Sequence, residues 1–217
     1  MTSVYRTPNA FYVSSVGQRL QRQIAAFFAG GDFRGRSAVL AGPVFPFLTA
    51  FEQNNPDIVC EKETVDAADF FSALPPAHGV DLAFIAALND SVTDNLTFLI
   101  KEANRLLKPQ GELFLLIKNP KKIFSVRVSG MPATKRISFV KEAEENGFLF
   151  RKRKNLLRFP YGGSVWEKAD GFLFSLSAGK GNFAILSAQK QATVTAAAEN
   201  YKPTRITKAS VFTSPRT

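Results

Sequence analysis

The sequence holds one cysteine and one histidine in 217 residues. A single thiol, Cys60, cannot close an intramolecular disulfide, nor can it supply the several thiolates of a Cys-only zinc or iron–sulfur site. A lone His78 excludes a His-rich zinc centre in the same way. So little cysteine fits an intracellular protein better than a secreted one. No apolar run approaches the roughly 20 residues that a membrane-spanning helix needs. Acid is also missing at the start, where Arg6, Arg19 and Arg22 precede the first carboxylate, Asp32. That composition resembles an organelle transit peptide, which would take the chain to mitochondria. Against it, Val13, Val16, Leu20, Ile24, Phe27 and Phe28 recur at helical spacing, and Gly30-Gly31 closes the pattern. The spacing predicts an ordinary first helix inside an N-terminal region of residues 1–36.

Tyrosine and tryptophan are scarce (four and one), whereas phenylalanine occurs 21 times. Phenylalanine adds buried area without needing a hydrogen-bond partner, so these rings read as core. An apolar content of 45% supports a core of domain size. The net charge of +10 admits an anionic partner, either nucleic acid or an acidic protein surface. Its two clusters are Arg151-Lys152-Arg153-Lys154 with Arg158, and a tail in which Lys190, Lys202, Arg205, Lys208 and Arg216 face only Glu199.

Strands and helices alternate along the middle of the chain. Ala38–Ala41 reads as a strand, Phe45–Phe51 as a short helix and Asp57–Cys60 as a second strand. A helical stripe of Val65, Ala68, Phe71 and Leu74 stops at Pro75-Pro76. Val80–Ala87 is apolar almost throughout, the pattern of a strand covered on both faces. Val92, Leu96, Leu99, Ile100, Ala103, Leu106 and Leu107 then form the buried stripe of a long helix. Lys108–Gly111 reads as a turn and Leu113–Ile117 as another buried strand. A helix over about 133–146 follows, with Gly147 at its C′ position. Two extended segments, Phe148–Phe159 and Phe172–Ser177, close the domain without a helix between them.

This order predicts a Rossmann-like class I methyltransferase fold. Its mostly parallel sheet would end in an antiparallel hairpin over residues 37–189, followed by a basic, flexible tail over 190–217.

In such a sheet the ligand lies at the carboxyl ends of the strands. The loop there reads Gly42-Pro43-Val44-Phe45-Pro46-Phe47. S-adenosylmethionine loops are usually rich in glycine, because backbone must approach the ligand closely. Here one glycine is supplied, two prolines remove N–H donors, and two phenylalanines fill space. Glu61, with Glu63 nearby, stands where an acid would hold ribose hydroxyls; the plainer reading is a solvated loop. Gly42 and Glu61 are thus the vestigial cofactor candidates. Asn89-Asp90 ends the next strand, but Asp90 or Ser91 reads more simply as a helix cap. His78 reads as a loop residue, with no nucleophile to pair with it. No catalytic or metal-binding residue is assigned. The basic run 151–154 reads either as a docking patch or as positive charge protecting a sheet edge. It lacks the interleaved aromatics of a nucleic-acid surface.

The segment "VDLAFIAALNDSVTDNLTFLIKEANRLLKPQGELFLLIKNP", Val80–Pro120, resembles the N-terminal domain of the anamorsin family of cytosolic iron–sulfur assembly proteins. A second match is "DGFLFSLSAGKGNF", Asp170–Phe183, and the resemblance extends over residues 37–189. It implies a methyltransferase-like domain that does not use S-adenosylmethionine and acts as a scaffold and docking module in the cytoplasm. It further implies that a diflavin reductase and other iron–sulfur assembly proteins are the partners, and that clusters bind in a Cys-rich C-terminal region. This sequence departs from that pattern, with no Cys-x-x-Cys element before Thr217. Two alternatives stand beside this reading: an active S-adenosylmethionine-dependent methyltransferase with a divergent loop, and a basic, RNA-associated organellar protein.

Overall fold

The apolar runs become the middle of a five-stranded sheet. The computed structural model describes residues 2–29, 38–41, 79–120, 125–133, 136–176 and 180–191. In chain order the described elements are β1 (Thr2–Tyr5), α1 (Pro8–Tyr12), α2 (Ser15–Ala29), β2 (Ala38–Ala41) and β3 (Val80–Ala87). Then come α3 (Asp90–Asp94), α4 (Leu96–Leu106), β4 (Leu107–Lys118), β5 (Ser125–Val128) and α5 (Arg136–Glu145). The last three are β6 (Phe148–Leu156), α6 (Ser164–Ser175) and β7 (Phe183–Lys190). The strand order is β2-β3-β4-β7-β6. The strands β2, β3 and β4 are parallel, and β7 runs antiparallel between β4 and β6. The proposed strand over 57–60 and the helices over 45–51 and 65–74 lie outside the described residues.

Because side chains alternate across a strand, β3 feeds two cores. Leu82, Phe84 and Ala86 join Leu20, Ile24 and Phe28 of α2 on one face. Ala83, Ile85 and Ala87 join Leu99, Ile100 and Leu106 of α4 and Phe139 of α5 on the other. Burial on both sides explains why β3 has no polar alternation. Phe28 meets Phe84 and Phe114 edge-on, with ring centroids 5.5 and 5.4 Å apart.

The N-terminal region is part of this core. Phe11 of α1 stacks on Phe183 of β7 at 5.8 Å, and β1 pairs in parallel with β5 as a small second sheet. Four residues without a periodic signal had no reading as a strand. Val13, placed on the buried stripe, is exposed and precedes α2.

Several boundaries differ from expectation for identifiable reasons. The single helix over 92–107 is divided into α3 and α4 at Asn95, whose side-chain amide bonds Ser91 O (2.9 Å) beside its own backbone N–H. Such local competition interrupts helices. Residues 108–111 are absorbed into β4 as an irregularity: Val80 pairs with Leu107 but Leu82 with Glu112, and Gln110 takes a positive φ of 66°. Gly147 does end α5, at φ 78°. Lys190, assigned to the tail, closes β7 and donates to Asn104 O and Leu107 O (2.5 and 2.7 Å).

The largest correction concerns Phe172–Ser177. Its described residues are not extended: 172–175 are the last turn of α6, and the final strand begins at Phe183. A short apolar run does not distinguish strand from helix by itself. The helix wins because it brings Asp170 and Phe174, four residues apart, to one inward face. The antiparallel pair expected at the end of the sheet is present as β6 and β7, with α6 in the connection between them.

Candidate functional site: the carboxyl edge of the sheet

A ligand of an open parallel sheet lies beyond the strand ends, so the candidate site is the edge where β2, β3, β4 and β6 terminate. Gly42, the loop 43–47, Cys60, Glu61, Glu63 and His78 lie outside the described residues.

At the end of β3, Asn89 is extended (φ −132°, ψ 165°) and its side-chain oxygen accepts from Val92 N–H at 2.9 Å. This is an N-cap. The cap therefore sits one residue before Asp90 and two before Ser91, the residues expected to supply it. Asp90 occupies the first turn, where its charge favours the helix N-terminus.

At the end of β4, Lys118 and Asn119 turn back into the protein. Lys118 is buried and its Nζ donates to Met131 O at 2.8 Å. Burial pushes its pKa below the usual lysine value. Asn119 donates its side-chain N–H to Gly181 O at 2.8 Å and accepts from Arg153 at 3.3 Å.

Asn182, just before β7, joins three segments. Its Oδ1 accepts from Val126 N–H of β5, its Nδ2 donates to Leu157 O, and its backbone N–H also donates to Leu157 O (2.9 Å each). Leu157 in turn donates its N–H to Gln23 Oε1 of α2 at 2.7 Å. These bonds hold Leu157 at φ 47°, a left-handed conformation that is strained for a residue with a side chain. Gly181 is needed beside it, since a Cβ there would lie 2.1 Å from Leu156 O.

A cleft of about 370 Å³ opens between this edge and the small β1–β5 sheet, lined by Tyr5, Lys118, Asn119, Val126, Arg127 and Asn182 among others. Its size is that of a small-molecule pocket. The side-chain groups of Lys118, Asn119 and Asn182 on its wall are each bonded to backbone.

A buried ionic cluster lies next to the edge. Asp170 of α6 is fully buried; its Oδ1 accepts from Arg158 N–H at 2.9 Å, and its Oδ2 lies 3.6 Å from Arg19 Nε of α2. Arg19 also donates to Phe159 O (3.0 Å) and Tyr161 O (2.5 Å). Burial raises the Asp170 pKa, and the Arg158 N–H and the two guanidinium groups oppose that rise. Burial lowers the pKa of Arg19 and Arg158, with Asp170 opposing in each case.

The basic run is divided by this arrangement. β6 is an edge strand among the described elements, and a register shift between Phe150 and Lys152 alters its alternation. Arg151 and Lys152 are exposed, with Arg151 bonded to Gln189. Arg153 reaches Asn119, and Lys154 Nζ lies 4.3 Å above the Phe174 ring. Arg158 is buried, so it cannot take part in the docking patch assigned to it. One continuous surface patch of five cations is therefore not formed.

Sequence reasoning missed Lys118, Asn119, Asp170 and Asn182 as structural polar centres. The available signal was a charge or amide adjoining an uninterrupted apolar run, a position where a buried polar group needs partners.

No protein-family model matches the chain, and no curated protein matches it in sequence. Solved structures with the same fold are similar to it. A mitomycin 7-O-methyltransferase is 14% identical with a TM-score of 0.52, over 81% of this chain and 55% of that one. A possible histamine N-methyltransferase from Thermotoga maritima is 13% identical with a TM-score of 0.50, over 84% and 94%. A [4+2]-cyclase is 15% identical with a TM-score of 0.53, over 83% and 84%. The chain thus spans little more than half the length of the first of these. The architecture is that of a class I S-adenosylmethionine-dependent methyltransferase. At such identities it carries no assignment of chemistry, and one of these three structures is named for a cyclisation.

Proposed function

We propose that this chain is a non-catalytic, methyltransferase-like docking domain of an anamorsin-type protein, acting in cytosolic iron–sulfur cluster assembly. Its partners would then include a diflavin reductase. The observation that carries the reading is the sequence Gly42-Pro43-Val44-Phe45-Pro46-Phe47 directly after β2. Two prolines remove backbone donors where an S-adenosylmethionine loop needs them, and two phenylalanines add bulk.

The polar chemistry of the described edge supports the same reading. S-adenosylmethionine needs hydrogen-bonding groups that face a ligand. The Asn89 oxygen is used by Val92, the Lys118 ammonium by Met131, and the Asn119 amide by Gly181. These residues do not fit the cofactor as its ligands, and no transfer step is derived through it. The resemblance of Val80–Pro120 and Asp170–Phe183 to the anamorsin N-terminal domain supplies the cellular role. In that family electrons pass through clusters on cysteines, which a chain with only Cys60 cannot hold.

Titration of the full chain with S-adenosylmethionine in a calorimeter tests this. No binding heat is expected. Micromolar binding that disappears in Glu61→Ala would establish a working cofactor site and overturn the proposal. A purified diflavin reductase is expected to form a complex with the chain in gel filtration; failure to do so would remove the assigned pathway.

A further inference from the structure

Helix α6 is apolar on two faces. Inward, Asp170 is buried and Phe174 packs on the core, while Trp166, still 38% exposed, packs against Phe159 and Tyr161, with centroids 5.1 Å away in each case. Outward, Val165, Phe172 and Leu176 are 74%, 65% and 58% exposed. Positions 165, 172 and 176 are spaced i, i+7 and i+11, with the half-buried Ala169 between them, along one side of a helix. A soluble surface tolerates single exposed apolar residues, whereas an ordered stripe of them marks an interaction site.

The charges of α6 are sorted between these faces. Its two acids are used toward the protein: Asp170 is buried, and Glu167 pairs with Arg22 of α2. Its cation, Lys168, is exposed and falls on the outer face. The outer face therefore presents hydrocarbon beside a positive charge.

That sorting selects the occupant. The chain's own tail, residues 192–217, carries Lys202, Arg205, Lys208 and Arg216 against Glu199, and would bring like charge to the stripe. A second copy would set Lys168 near its equivalent on a chain of net charge +10. We propose that the outer face of α6 docks an acidic amphipathic helix of a partner protein, its apolar residues on Val165, Phe172 and Leu176 and its carboxylates toward Lys168. Helix-on-helix docking of this kind uses anchors at these spacings, and the surrounding charge sets specificity and approach rate. The inference rests on the docking role proposed above and names the surface and partner chemistry.

The test uses the full chain and a synthetic peptide of about 15 residues, long enough to form a helix on binding. Leucines at i, i+4, i+7 and i+11 are separated by glutamates; a second peptide replaces each glutamate with lysine. The acidic peptide is expected to bind, to slow amide exchange along α6, and to lose affinity at high salt. Phe172→Ser is expected to weaken it about tenfold or more, as for a central apolar anchor, while thermal stability is unchanged. Equal affinity for both peptides, unchanged binding by Phe172→Ser, or no binding would overturn the proposal. So would dimerisation through α6, or binding to phosphatidylserine vesicles without binding to the peptide. S-adenosylmethionine binding would count against the non-catalytic reading and leave α6 untouched, so the two failures are distinguishable.

Discussion

The carboxyl edge of the sheet and the outer face of α6 distribute their side chains in opposite ways. At the edge, where the fold ordinarily receives a ligand, polar side chains turn inward: Lys118, Asn119 and Asn182 bond backbone groups of neighbouring segments. On α6, where a surface helix is ordinarily polar, Val165, Phe172 and Leu176 turn outward. Hydrogen-bonding capacity that could meet a small molecule is used to join segments, while apolar surface that could have been buried is left accessible. The contrast suits a domain that acts by contact. It also identifies which substitutions should unfold the molecule and which should only alter what it binds.

The largest effect is expected at Asp170, on the inward face of α6. Asp170→Asn keeps an oxygen for Arg158 N–H but removes the negative charge beside Arg19 and Arg158. Leaving buried cations without compensation costs about 3–5 kcal/mol. Urea denaturation should register a loss of that size, with α6 losing amide protection before the sheet. The double variant Arg19→Met, Asp170→Asn should recover part of it. A loss below about 1 kcal/mol would mean that the cluster is solvated, and that α6 is held chiefly by Phe174 and Trp166.

Within the edge itself, Asn182→Ala should cost about 2 kcal/mol. It leaves Val126 N–H without its acceptor and removes one of the two Asn182 bonds to Leu157 O, in a buried setting where an unmet group costs about 1–3 kcal/mol. Amide exchange at Val126 should accelerate more than at Ile185 of β7, the strand that Asn182 precedes. Equal acceleration at both positions would show general loosening and deprive Asn182 of its joining role.

Much of the fold was legible because uninterrupted apolar runs such as Val80–Ala87 have one stable use, a strand covered on both sides. Gly147 was legible for a similarly local reason, its positive φ. The α6 segment was misread because Phe172–Leu176 is apolar under either periodicity. Its register is decided by Asp170, whose partners Arg19 and Arg158 are separated from it in sequence and assembled by the fold. Strand β1 was invisible for a related reason: four residues gain a partner in β5, more than a hundred positions away. The edge network failed to show at all, because an amide such as Asn182 carries no periodic signature. The basic run illustrates the converse. Five cations in or beside one strand look like a patch, but alternation, a register shift and burial direct them to different surroundings.

The smallest expected effect tests the edge at a residue that catalysis would also claim. Asn89 follows β3 at its carboxyl end, where a catalytic side chain of a methyltransferase would be sought, yet its side-chain oxygen is bonded to Val92 N–H. Asn89→Ala should therefore cost about 1 kcal/mol, the usual loss for an N-cap. Asp90→Ala should cost only a few tenths, since it removes a first-turn charge and leaves the cap in place. Paired denaturation curves measure both. The order of the two losses matters more than their size: if Asp90→Ala proves the costlier, Asn89 is not the cap, and its amide at the strand end becomes available to a ligand. If Asn89→Ala is the costlier, the Asn89 amide is used within the fold to cap α3, as Lys118, Asn119 and Asn182 are used to join segments.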